Sequence, residues 1–173
     1  LNSLIGQFDK TYLDNVVNYN KALAQRNRLL KQFAAERTFN KESLEIWDEQ
    51  LIRLGTNIFH KRREITQELI PFFQQYYEYI SLGSEQVELV YYSQLHDNEM
   101  AALLTQSLSR DRKVEYTTIG IHKDDLLLQI GDYPIKKTGS QGQQKSYLTA
   151  LKLAKYEFIK KTSGMTPLLL LDD

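Results

Sequence analysis

With 173 residues, 42% of them hydrophobic, the chain can bury a real core and is too apolar to be disordered as a whole. It carries 22 basic and 22 acidic side chains, so bulk charge points to no partner and any nucleic-acid footprint must be local. The absence of cysteine excludes a disulfide framework, a thiol nucleophile and Cys-ligated zinc and fits a reducing compartment, no apolar run reaches a membrane span, and the opening LNSLIGQFDK has no signal-peptide pattern.

Apolar residues recur first at Tyr12, Val16, Tyr19, Leu23, Leu30 and Phe33, the spacing of a heptad seam interrupted at Arg26. A second seam runs through Leu44, Trp47, Leu51, Leu54, Ile58, Ile65, Leu69, Phe72 and Tyr76, interrupted at Lys61. The polar stretch AERTFNKES separates them, with Asn40 or Ser43 placed to cap the second helix. A helix with one narrow apolar stripe cannot stand alone. The two are therefore expected to zip into an antiparallel hairpin on the order of 45–50 Å long. Pro71 predicts a kink or break near Ile70.

The second half changes character. QVELVYY alternates as a strand, NEMAALLTQSL reads as a helix, and VEYTTIGI and LLLQI read as strands joined by HKDD. DYPI carries turn chemistry, and a long helix starts after Ser140 and ends near Gly164. PLLLL is a continuous apolar run of the kind found in a sheet covered on both faces, and a helix feeding it suggests an α/β unit. The expected class is α+β or α/β: an antiparallel long-helix hairpin over residues 1–83 as an arm, joined to a partial head over 84–173. An apolar run stopping on two carboxylates reads as an excerpt of something larger.

Two stretches could carry chemistry. In GSQGQQ, Ser140 can cap the helix and Gln143 complete a capping box, with Gly139 and Gly142 easing the turn. The same helix end can hold an anion. Its free N–H groups and dipole attract phosphate, Ser and Gln donate to phosphate oxygens, and glycine lets a ligand approach. LLLLDD is either a buried strand with an acidic turn or a Walker B strand. In the second reading Asp172 holds Mg²⁺ and Asp173 orients or deprotonates an attacking water.

His122, beside Lys123, Asp124 and Asp125, could contact a metal or phosphate, but a lone His in such a connection more often packs locally. His60 and His96 show no ligand spacing and read as surface. Arg26, Arg28 and Lys31 on the first helix, and Lys61, Arg62 and Arg63 on the second, are either solvated flanks or DNA phosphate contacts.

SQGQQ followed one helix later by PLLLLDD resembles the signature-to-Walker-B segment of the ABC-type ATPases of the SMC and recombination-repair group, above all the RecF family of bacterial DNA replication and repair proteins. YNKALAQRNRLLK, WDEQLIRLG and GIHKDDLLLQI resemble further elements of that family, so the likeness spans almost the whole chain. It departs at Ile121, where the family usually has proline. No G-x-x-x-x-G-K-[ST] phosphate loop lies in the sequence; in the family that loop lies upstream, and the D-loop and switch-histidine region follow.

The resemblance implies that Ser140, Gln141, Gly142 and Gln143 close over the γ-phosphate of ATP bound to the opposite subunit. It makes Asp172 the Mg²⁺ site and Asp173 the water-activating base. It implies an ATP-driven homodimer that clamps double-stranded or gapped DNA and works with recombination mediator proteins to load recombinase, in the bacterial cytoplasm and nucleoid, with no membrane role. Lacking the phosphate loop, this chain alone is not expected to hydrolyse ATP. The alternatives are another SMC-like ATPase with a short coiled coil, or a helical interaction module with no nucleotide role.

Overall fold

The computed structural model describes residues 1–83, 85–164 and 166–169. Within them lie helices α1 (Asn2–Ile5), α2 (Lys10–Glu36), α3 (Lys41–Ser81), α4 (Met100–Val114), α5 (Ile135–Thr138) and α6 (Gln141–Ser163), and strands β1 (Val87–Tyr92), β2 (Asp125–Ile130) and β3 (Tyr133–Pro134). Two compact units are interleaved in sequence: Leu1–Arg62 with Tyr92–Asp125, and Arg63–Tyr91 with the residues from Leu126 onward.

The first unit is built on α2 and the first half of α3, paired antiparallel as expected. Phe33 and Leu44 share a buried cluster, Arg26 bonds Asp48, the Tyr19 ring lies against Gly55, and Arg62 bonds Tyr12. As the residue number falls along α2, its partner's number rises along α3. Both starts are capped by side chains: Asp9 accepts from the Tyr12 N–H at 2.8 Å, and Asn40 accepts from the Ser43 N–H at 2.9 Å. Arg37, at φ 52, turns the chain out of α2.

The seam differs in detail from a strict heptad. Ala22 and Arg26 are buried while Leu23 is only half-buried, and along α3 the buried stripe continues Ile58, Arg62, Ile65, Leu69, Phe73, Tyr77. Phe72 and Tyr76 are half-buried. These steps of three and four follow the 3.6-residue turn of a straight helix, which drifts off a seven-residue repeat.

Of the kink or break expected near Ile70, the break does not occur: α3 runs through Pro71. Pro71 costs the helix one backbone bond, but both it and Gln67, whose carbonyl loses its donor, face solvent. The buried residues on either side keep the helix packed.

VEYTTIGI is not a strand. Helix α4 continues to Val114, Glu115 leaves it at φ 62, and the next residues spend their polar groups on side chains. The N–H and hydroxyl of Thr117 both donate to Asn27 Oδ1 at 2.7 Å, and those of Thr118 donate to Asp111 Oδ1 at 2.9 and 2.6 Å. β-branched residues gave this stretch a strand-like composition, but the donors of Thr117 and Thr118 go to helices α2 and α4 rather than to a neighbouring strand.

In the second unit the sheet order is β1–β2–β3, with β2 and β3 antiparallel around the Gly131–Asp132 turn (Ile130 opposite Tyr133). Gly131 stands at φ 52, the left-handed conformation that favours glycine. Val87, Leu89 and Tyr91 alternate inward along β1, and α6 buries Tyr147, Ala150, Ala154 and Phe158. The Tyr147 ring sits 4.5 Å from that of Phe73, and its hydroxyl donates to the Glu88 carbonyl at 2.7 Å. Gly164, at φ 68, ends α6 where the sequence placed its end.

The strand expected over 167–171 is not formed in its described part. Residues 167–169 join no ladder with β1–β3, and Leu168 is 96% exposed, without the two-faced cover an all-apolar strand needs. Leu170, Leu171, Asp172 and Asp173 lie outside the described residues.

Candidate functional site

The start of α6 brings together Ser140, Gln141, Gly142 and Gln143, the four residues expected to form the signature. Ser140 Oγ accepts from the Gln143 N–H at 3.2 Å, and Gln143 Oε1 accepts from the Ser140 N–H at 2.7 Å, a complete capping box. The Gln144 N–H makes the first intrahelical bond, to the Ser140 carbonyl at 2.9 Å. Among the described residues no partner meets the N–H groups of Gln141 and Gly142. They remain as two free donors at the positive end of a 23-residue helix, beside the exposed Ser140 hydroxyl.

The two glycines have different causes. A Cβ at Gly139 would stand 2.7 Å from Ile135 Cγ1 and 2.8 Å from the Ile135 carbonyl oxygen, so glycine is needed for local packing. A Cβ at Gly142 would meet nothing nearer than Ser140 Oγ at 3.9 Å. Among the described residues nothing requires glycine there; its effect is to keep the space over the helix end clear. A phosphate fits this donor set and this clearance.

Sequence reasoning missed two residues at this end. Glu85 accepts from Gln143 Nε2 at 2.7 Å and from the Tyr77 hydroxyl at 2.5 Å. These bonds, Tyr77's first, hold its carboxyl below the usual carboxylate range. Their sequence separation from Gln143 left no signal to read. Asp172 and Asp173, expected from the sequence to hold Mg²⁺ and to activate water, fall outside the described residues.

The basic residues divide sharply. Arg26 is fully buried, its Nε 2.6 Å from Asp48 Oδ1 and its Nη1 2.7 Å from Asp111 Oδ2 and 2.9 Å from Thr117 Oγ1. Arg62 is buried too: Nη1 donates to Asp124 Oδ2 at 2.7 Å and to the Ile121 carbonyl at 2.8 Å, and Nε and Nη2 reach Tyr12 and Asn2. These two are internal cations, which corrects the expectation that they face DNA. Arg28, Lys31 and Arg63 are exposed, and Lys61 is half-buried, 3.9 Å from Asp9.

His122 is an internal packing residue. Its Nε2 donates to the Thr117 carbonyl at 3.2 Å, which leaves Nδ1 to accept from the Tyr19 hydroxyl at 3.1 Å. Gly120 makes this approach possible: at φ 113, a Cβ there would stand 2.6 Å from the Tyr19 oxygen. Burial, with help from Lys123, pushes the His122 pKa below its ordinary value, against Thr117, Asp124 and Asp111. Because the folded pKa is the lower one, the contribution of neutral His122 is complete above the unfolded pKa of about 6.5 and is lost as pH falls through the folded value. The stability advantage of the parent over His122→Gln, measured by urea unfolding, is therefore expected to shrink from pH 7 to pH 5. A constant difference would contradict this.

A long helical hairpin leading in sequence into a small sheet and a capped Ser-Gln-Gly-Gln helix is the architecture of an ABC-type ATPase segment with a helical arm. The chain is 49% identical over its whole length to the DNA replication and repair protein RecF of Flavobacterium johnsoniae, and 50% identical over 98% of its length to that of Phocaeicola vulgatus, covering 48% and 45% of those proteins. A solved structure of the recombination mediator protein RecF with ATP, in the RecFOR pathway, superposes with a TM-score of 0.91 at 31% identity, over 99% of this chain and 48% of that one. No family model matches. The chain belongs to the RecF family, and it spans about half the length of the curated relatives it matches.

Proposed function

We propose that this chain is the arm (1–83) and signature-bearing part of the head (84–173) of an ATP-dependent DNA-binding protein of recombinational repair and replication. The observation that carries the reading is the end of α6: a capped turn with two free N–H groups, an exposed serine and a glycine that clears space no described residue fills. Relatives near 50% identity named for DNA replication and repair, and a similar structure solved with ATP, support ATP as the ligand of that donor set.

In this reading Ser140, Gln141, Gly142 and Gln143 bind the γ-phosphate of ATP presented by a second subunit, and binding closes a homodimer on double-stranded or gapped DNA. Asp172 would hold Mg²⁺, which supplies charge neutralisation at the phosphates, and Asp173 would take a proton from the attacking water. Hydrolysis weakens the closed dimer and releases the DNA, with recombination mediator proteins as partners in recombinase loading in the bacterial cytoplasm and nucleoid. No helix of the described residues is long and apolar enough to cross a membrane.

The test mixes this chain with a separately made upstream segment of the same protein. Association should require ATP. Association indifferent to nucleotide would instead favour a helical interaction module.

For DNA, the exposed candidates are Arg28, Lys31 and Arg63, with half-buried Lys61 beside them. Reversing their charge in the full-length protein should lower the slope of log affinity against log salt by about 0.9 for each duplex phosphate that is no longer neutralised. An unchanged slope removes them from the interface. Arg26 and Arg62 are unsuitable for this test, since reversing a buried cation unfolds the protein rather than probing its surface.

A further inference from the structure

The geometry points to Glu85 as a positioning residue for the signature turn: it sets which end of the Gln143 amide faces the capping box and fastens that turn to α3 through Tyr77. The inference rests on the reading of residues 140–143 as a phosphate clamp.

A glutamine amide has an accepting end and a donating end of nearly the same shape, and only its neighbours decide which way it points. Gln143 Oε1 must face the Ser140 N–H, 2.7 Å away, to complete the box. Its Nε2 then points to Glu85 Oε1, also 2.7 Å away. A carboxylate only accepts, so a flipped amide would set oxygen against carboxylate on one side and N–H against N–H on the other. Glu85 therefore selects the orientation that keeps the turn capped.

The second carboxylate oxygen is also committed. It accepts from the hydroxyl of Tyr77, a residue of α3 that is 1% exposed and packs by ring contact against Tyr147 of α6. Burial raises the Tyr77 pKa, so its hydroxyl keeps its proton and remains a donor. Tyr77, Glu85, Gln143 and Ser140 thus form one continuous chain of hydrogen bonds from α3 to the first turn of α6. The turn that would close on phosphate is held from behind by a side chain that need not touch the ligand.

The experiment uses the full-length protein and reads the ATP concentration giving half-maximal association by light scattering, after melting temperatures have confirmed that each variant is folded. Glu85→Ala should raise that concentration about tenfold, the effect of losing one hydrogen bond to a charged group. Glu85→Gln should stay within about twofold of the parent. Its carbonyl can still accept from Gln143, and its amide can donate to the Tyr77 oxygen, because a phenol both donates and accepts. Tyr77→Phe, which keeps the Glu85–Gln143 bond but frees Glu85 from α3, should give a smaller loss of about threefold and serves if Glu85→Ala does not fold.

Ser140→Arg separates the two levels of the argument. If it abolishes association while Glu85→Ala and Tyr77→Phe leave the half-point unchanged, the signature reading stands and the positioning role is wrong. If Glu85→Gln is as defective as Glu85→Ala, Glu85 acts by charge and not by orienting Gln143, and the inference again fails. If Ser140→Arg itself has no effect, the clamp reading fails and takes this inference with it.

Discussion

Replacing Arg26 with alanine is expected to remove roughly 3–5 kcal/mol of stability, because it breaks a buried ion pair by taking away one partner. Arg26 and Asp111 both have fully buried side chains, paired at 2.7 Å. Asp111 Oδ2 also accepts from Ser107 at 3.2 Å, and its Oδ1 takes both donors of Thr118. Without the guanidinium, that carboxylate keeps its hydrogen bonds but loses its countercharge in a place water does not reach. Asp48 loses its partner as well; burial already raises its carboxyl above the usual range, against the pull of Arg26.

For a chain of this size each kcal/mol moves the melting temperature by about 2–4 °C, so thermal unfolding should show a fall of about 10 °C. Arg28→Ala, two residues away on the exposed side of α2, should change stability by no more than about 0.5 kcal/mol. Lysine at position 26 should rescue little, since one ammonium group cannot reproduce the separate Nε and Nη1 contacts to two acids. Matching melting temperatures for Arg26→Ala and Arg28→Ala would show that Asp111 does not depend on Arg26 for a countercharge. Arg26 Nη2 has no partner among the described residues, so the buried cation is itself incompletely satisfied. The large expected effect therefore measures what removing one partner exposes, and not the net worth of the pair.

Arg26 also shows where the sequence could be read and where it could not. Its position was legible as the break in a heptad seam. Its role was not, because the acids that pair with it, Asp48 and Asp111, lie on two other helices, α3 and α4. Exposure cannot be inferred for a charged residue on a seam until its partners are known. The same reasoning covers Thr117 and Thr118: local composition suggested a strand, while the residues that satisfy them, Asn27 and Asp111, lie on helices α2 and α4. Features set by neighbours in sequence were readable. The caps at Asn40 and Ser140 and the end of α6 at Gly164 depend on residues a few positions apart. Glu85 was invisible for the opposite reason, since its effect on the signature turn is made across space.

Gly142→Leu is expected to push stability and function in opposite directions. The residue lies in the first turn of α6, has no positive φ and has open space where a side chain would grow. Leucine is a better helix former than glycine by roughly 0.5–1 kcal/mol, so the melting temperature should hold or rise. If the clearance over this helix end exists for a phosphate carried by a second subunit, the same side chain occupies the ligand's place, and ATP-dependent association should fall at least about a hundredfold. Ser140→Arg should give the same loss of association but with a cost in stability. It removes the hydroxyl that accepts the Gln143 N–H, about 1 kcal/mol, and sets a cation at the positive end of the helix. The leucine variant is thus the cleaner test, because a loss of association cannot be traced to a weakened helix. Normal association in Gly142→Leu would mean that the glycine is only a poor helix residue, and that nothing needs to approach the turn it opens.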